Sequence, residues 1–119
     1  MKTNFNIQEV LESYLETLLW VSGDDHEFDG VTIYDFSEEA TNSSKADIEK
    51  FIEIINTNPA AIDEAIEYDD RMLGHNFALS RNGHGAGFFD DNNDILQDIC
   101  RETKSAEPYL GDDKKVYIM

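Results

Sequence analysis

The sequence predicts an α+β fold in which three N-terminal helices and a fourth helix cover a small antiparallel sheet of two hairpins, with residues 1–119 forming a single domain. Three observations predict it. Apolar residues recur at helical spacing through the first half of the chain. Asn82-Gly83 stands between two apolar runs, the strongest short signal for a type I′ hairpin. A second reversal, Gly111-Asp112-Asp113-Lys114, separates Tyr109-Leu110 from Val116-Tyr117-Ile118.

The first helix rests on Ile7, Val10, Leu11, Tyr14, Leu15, Leu18 and Leu19, which make one apolar stripe. Asn6 can cap it, Glu9 follows three residues on, and Phe5 can staple against Val10. Its end is expected near Ser22-Gly23, with Trp20 buried. Val31-Thr32-Ile33-Tyr34 reads as a short strand or extended segment. Ser37 to Thr41 reads as a short helical turn, and Ser44 as the cap of a second helix carrying Ile48, Phe51, Ile52 and Ile55. Asn58 and Pro59 start a third helix with Ile62, Ala65 and Ile66 inward, ending near Leu73 and Gly74. Its acidic residues, Asp63, Glu64, Glu67, Asp69 and Asp70, read as a solvated face.

The stretch from Gly74 to Asp91 holds four of the seven glycines and two of the three histidines. Counting outward from an Asn82-Gly83 turn pairs Arg81 with His84, Leu79 with Ala86 and Phe77 with Phe88 on one strand face. Ala78, Ser80, Gly85 and Gly87 leave the other face nearly bare. Such a surface invites close approach by a backbone, a ring or a ligand. Asp91 or Asn92 then caps a fourth helix with Ile95, Leu96, Ile99 and Cys100 inward, and Arg101 and Lys104 near its end.

Charge and composition narrow the function. Twenty-six acidic residues against nine basic ones give a net charge of −17, which excludes a general nucleic-acid binder. The single cysteine precludes an intramolecular disulfide and fits a reducing cytoplasm. The N-terminus, Met-Lys-Thr-Asn, has no apolar leader, and Leu18-Leu19-Trp20-Val21 is far too short to span a bilayer. The loop Asp24-Asp25-His26-Glu27-Phe28-Asp29-Gly30 imitates the start of an EF-hand. The template fails at its twelfth position, where Phe36 stands instead of a bidentate glutamate. No metal and no cofactor is expected.

The candidate catalytic set is His75, Arg81, His84, Asp90 and Asp91. On a hairpin His75 and His84 would stand about 20 Å apart, too far to share a proton or an ion. No H-E-x-x-H, C-x-x-C, P-loop or G-x-S-x-G motif is present. The chain therefore reads as a binding protein and not an enzyme. Its candidate contact surfaces are the acidic loop, with Asp24, Asp25, Glu27 and Asp29, and the hairpin tip, with Arg81, Asn82 and His84. Two alternatives stay open. The carboxylates could imitate duplex DNA, which carries one charge per ~1.7 Å of axis, or the hairpin could serve a small-molecule or nucleotide-binding enzyme. An unpaired strand edge could also support a homodimer.

Three blocks, residues 19–25, 74–90 and 109–113, resemble a family of small acidic accessory proteins of tailed bacteriophages. The chain departs from the family pattern at Ala78, where an aromatic often stands, and at Phe89, where Trp does. The resemblance implies a phage origin and a host-cytoplasm setting. Small acidic accessory proteins of phages often antagonise host defence, so the expected activity is inhibition of a host defence protein by direct binding. The suspected target is the BREX system, through its ATPase BrxC. It assigns no role to any single residue.

Overall fold

The computed structural model describes residues 2–22, 27–83, 87, 88 and 90–119. Among them are helices α1 (Ile7–Ser22), α2 (Glu38–Asn56), α3 (Pro59–Ala65), α4 (Asp70–Arg81) and α5 (Asp94–Arg101). A two-stranded antiparallel sheet follows, made of β1 (Pro108–Leu110) and β2 (Val116–Ile118). The fold is mixed, as expected, but one of the two hairpins is replaced by a helix.

α1 begins as its sequence signals, with Glu9 N–H donating to Asn6 Oδ1 at 3.2 Å. Its stripe is buried at Val10, Leu11, Tyr14, Leu15 and Leu18. Trp20 corrects the expectation of burial, because it is 71% exposed. The segment expected to be extended forms a 3-10 turn at Ile33–Asp35, closed by a reciprocal capping box between Thr32 and Asp35. α2 starts earlier than expected. Ser37 caps it by accepting from Ala40 N–H at 3.0 Å, and Ser44 lies buried inside it. Ala40, Ser44 and Ile48 fall four residues apart, so the small polar residue continues the inward stripe that Phe51, Ile52 and Ile55 complete.

Asn58 and Pro59 start α3 as expected, with Asn58 Oδ1 accepting from Ala60 and Ala61. The helix ends at Ala65, and Ile66 is exposed rather than inward. What reads as one acidic rod is interrupted, because Asp69 turns its side chain back to cap α4, accepting from Met72 N–H at 2.8 Å.

α4 overturns the central hairpin. Residues 76–81 are all buried, so the Phe77/Leu79 alternation marks a helix with little exposed surface there, not a half-buried strand. Asn82-Gly83 still ends the element, but as a helix stop. Gly83 takes a left-handed φ of 69°, and its N–H bonds to Ser80 O at 3.2 Å. Gly74, expected to end a helix, instead sits within α4 against α1. A Cβ there would run into the Val10 carbonyl oxygen. His84, Gly85, Ala86 and Phe89 of the expected second strand lie outside the described residues.

The chain does fold back after Gly83. Phe88 is fully buried, with its N–H on Ser80 Oγ at 3.0 Å, and Gly87 lies so close to Asn76 O and Ser80 Oγ that no side chain fits. Rings then run through the core in series. Tyr14 stacks with Phe77 at 5.5 Å, Phe77 with Phe51 at 4.3 Å, Phe51 meets Phe88 at 6.0 Å, and Phe88 meets Tyr68 edge-on at 5.2 Å. α5 is capped by Asn93, and buries Leu96 and Cys100.

The C-terminal hairpin appears where expected, with Tyr109 opposite Tyr117. A parallel bridge from Phe36 to Val116 and the bond Ser37 N–H to Val116 O, 2.8 Å, fasten it beside the start of α2. Its outer edge at β1 offers little to another strand. Pro108 has no N–H, and that of Leu110 is directed to Glu27 Oε1 at 3.4 Å.

Candidate functional site

Of the residues expected at a hairpin tip, Arg81 lies inside the molecule and Asn82 is half-buried. Arg81 is 8% exposed. Its Nη1 donates to Tyr14 Oη at 2.9 Å and to Asp47 Oδ2 at 2.8 Å, while Nε and Nη2 both donate to Lys104 O at 2.9 and 2.6 Å. The same guanidinium lies 5.4 Å from the Phe77 ring centroid. Asn82 forms a two-point pair with Ala106, donating to its carbonyl at 2.9 Å and accepting from its N–H at 2.7 Å. Both side chains are committed to contacts within the fold. Glu27 and Asp29 are exposed beside the buried Phe28, while Asp24, Asp25 and His84 lie outside the described residues.

A different surface has the character of a site. Met72, His75, Asn76 and Leu79 recur at i, i+3, i+4 and i+7 and form one side of α4. With Trp20 and Val21 from the end of α1, and Asp90 and Asp91 from the turn after Phe88, they line a cleft of about 700 Å³. Met72 is 45% exposed, so this cleft carries two large exposed apolar side chains. The lining residues among those described include no lysine or arginine. Another groove, on the outer face of α2 along Glu49, Lys50, Glu53 and Ile54, draws on a single helix and has no aromatic.

His75 organises the cleft. Its ring stacks with Trp20, centroids 5.9 Å apart and planes 28° from parallel. Its Nδ1 lies 2.9 Å from Thr17 Oγ1, whose single proton is already donated to Ser13 O at 2.8 Å. Thr17 therefore accepts from His75, so Nδ1 carries the proton in the neutral ring and Nε2 the lone pair. One side of the Trp20 indole is thus held by a ring that is itself anchored to α1.

Asp91 is also held. Its Oδ2 accepts from Tyr68 Oη at 2.9 Å and from the buried Asn76 Nδ2 at 3.4 Å. Burial and the Asp91 hydrogen bond push the Tyr68 hydroxyl up to about 12, which keeps it a donor at neutral pH. Among the described residues no three His, Cys, Asp or Glu side chains gather in a way that could hold a metal ion. No helix among them is long and apolar enough to cross a membrane.

His75, Asp90 and Asp91, three of the five residues singled out as candidate catalytic groups, thus line one cleft, whereas Arg81 belongs to the core. Trp20 and Met72 were missed as surface residues. For Trp20 a signal existed. It falls off the α1 stripe, four residues after Glu16 and on the side of the helix that carries Glu9 and Glu16. No protein-family model, no curated protein and no solved structure matches the chain.

Proposed function

We propose that this chain is a phage-encoded anti-defence protein that inhibits a host defence component by stoichiometric binding, through the Trp20–Met72 cleft. The single observation that carries a binding role is the exposure of Trp20, an indole 71% open to solvent at the mouth of a cleft edged by Asp90 and Asp91. An aromatic anchor surrounded by polar residues is the usual make-up of an energetic centre in a protein interface. Inhibition of the BREX system through its ATPase BrxC rests on the resemblance, in size and character, to the vibriophage inhibitor OrbA. Action in the host cytoplasm follows from the same resemblance.

The test uses cells protected by BREX. Expression of the chain restores plating of a sensitive phage, Trp20→Ala abolishes that rescue, and the purified chain elutes with the ATPase in a fixed ratio. Absence of both rescue and complex overturns the reading. The DNA-mimic alternative predicts instead a complex that duplex DNA displaces and that Trp20→Ala leaves intact.

A further inference from the structure

We infer that the cleft receives one arginine side chain of the partner, with its guanidinium stacked on the indole face turned away from His75 and its N–H groups donating to Asp90 and Asp91. The inference rests on the binding role proposed above and names the chemistry of the anchor. Three features select a cation. The lining has two carboxylates and no lysine or arginine among the described residues, in a chain of net charge −17. Trp20 is the aromatic that binds cations best, and stacking on His75 keeps the indole oriented while leaving it 71% exposed. Tyr68 and Asn76 both bond Oδ2 of Asp91, fixing the carboxylate at the cleft so that, among the described residues, Oδ1 is left for a further donor.

Arginine fits better than lysine. Its planar fork matches an aromatic face and a carboxylate at once, whereas an ammonium is a hydrated point charge. Met72 and Leu79 supply apolar surface for the methylene stem.

Trp20 is the only tryptophan, so its emission reports on the cleft directly. The purified full-length chain is titrated at constant ionic strength with acetyl-Gly-Arg-Gly-amide, its lysine counterpart and its citrulline counterpart, a neutral near-isostere. The expected result is a saturable change with the arginine peptide, binding about tenfold weaker for lysine, and no saturation for citrulline. Asp90→Asn together with Asp91→Asn weakens the arginine peptide about tenfold or more, whereas Glu49→Gln with Glu53→Gln, the same change in charge outside the cleft, shifts it less than about threefold. Asparagine keeps an oxygen acceptor for Tyr68, and a thermal melt of the double variant checks that it is folded. If that variant fails to fold, Asp90→Asn alone carries the comparison.

Equal binding of arginine and lysine, binding of citrulline, or equal losses from the two charge pairs overturns the inference. The two readings fail separately. A peptide that saturates as described, with no host target bound, removes the defence role alone. A host complex indifferent to Asp90→Asn and Asp91→Asn removes the arginine anchor alone.

Discussion

Arg81 Nη1 lies 2.8 Å from Asp47 Oδ2, and the pair ties the C-terminal end of α4 to the middle of α2. The arginine side chain is 5% exposed and the aspartate 42%, so the two partners are not energetically equivalent. Arg81 also serves Tyr14 and the Lys104 carbonyl, and its loss orphans acceptors from three parts of the chain. We predict that Arg81→Met costs about 3–5 kcal/mol, because the Tyr14 and Lys104 oxygens lose their donor inside the fold, and that Asp47→Asn costs about 1–3 kcal/mol, because asparagine keeps an acceptor but leaves the buried guanidinium without its counter-charge. Urea unfolding midpoints of the two variants check the asymmetry.

Gly74→Ala is expected to destabilise the protein even though alanine is the better helix former by about 1 kcal/mol. The new methyl would press on the Val10 carbonyl, which is backbone and cannot rotate away, so α1 and α4 must separate. Such overpacking costs about 1–3 kcal/mol, which outweighs the propensity gain. Stabilisation by Gly74→Ala would refute the close approach of these helices.

Asn82→Asp should cost about 2 kcal/mol. It replaces the Nδ2 donor with a second oxygen facing the Ala106 carbonyl, while the acceptor for Ala106 N–H is kept. Were Asn82 the tip of a hairpin, aspartate would be tolerated, so chemical denaturation of this one variant separates the two structures.

Alkaline pH should unfold the protein in a defined window. Burial pushes the Tyr14 hydroxyl up from 10.0 to about 12 and the Cys100 thiol up from 9.0 to about 12. Both groups keep their protons longer in the folded chain than in the unfolded one, so the folded state binds more protons and stability falls as pH rises. Their contribution is full below pH ~9 and is lost progressively toward pH ~12. Unfolding free energies at several pH values check the slope, and Cys100→Ala should remove its lower part. At neutral pH Cys100 should resist thiol reagents until the chain unfolds.

Trp20→Phe and Trp20→Ala should each change stability by less than about 1 kcal/mol, against the about 3–5 kcal/mol expected for a buried ring. The emission of the folded protein should already be that of an indole in water. A blue-shifted spectrum that moves to the red on unfolding would contradict the exposure described above.

The sequence alone determined where α1 and α3 begin. Asn6, Asn58 and Pro59 act locally, through side chains and ring geometry that bond or preset the very next turn, and they stand where they were expected. The stripes of α1 and α2 and the C-terminal hairpin were legible for the same reason, since period and turn chemistry are carried within a few residues. Tertiary structure decided the state of Phe77 to Gly83. An apolar run with an Asn-Gly stop satisfies a strand before a hairpin and a buried helix before a C-cap equally well. The choice came from contacts far along the chain: α1 against Gly74, Asp47 and Lys104 around Arg81, and Phe88 beneath Tyr68. The cleft was hidden by the same ambiguity, because only a helical α4 brings Met72, His75 and Asn76 onto one side facing Trp20.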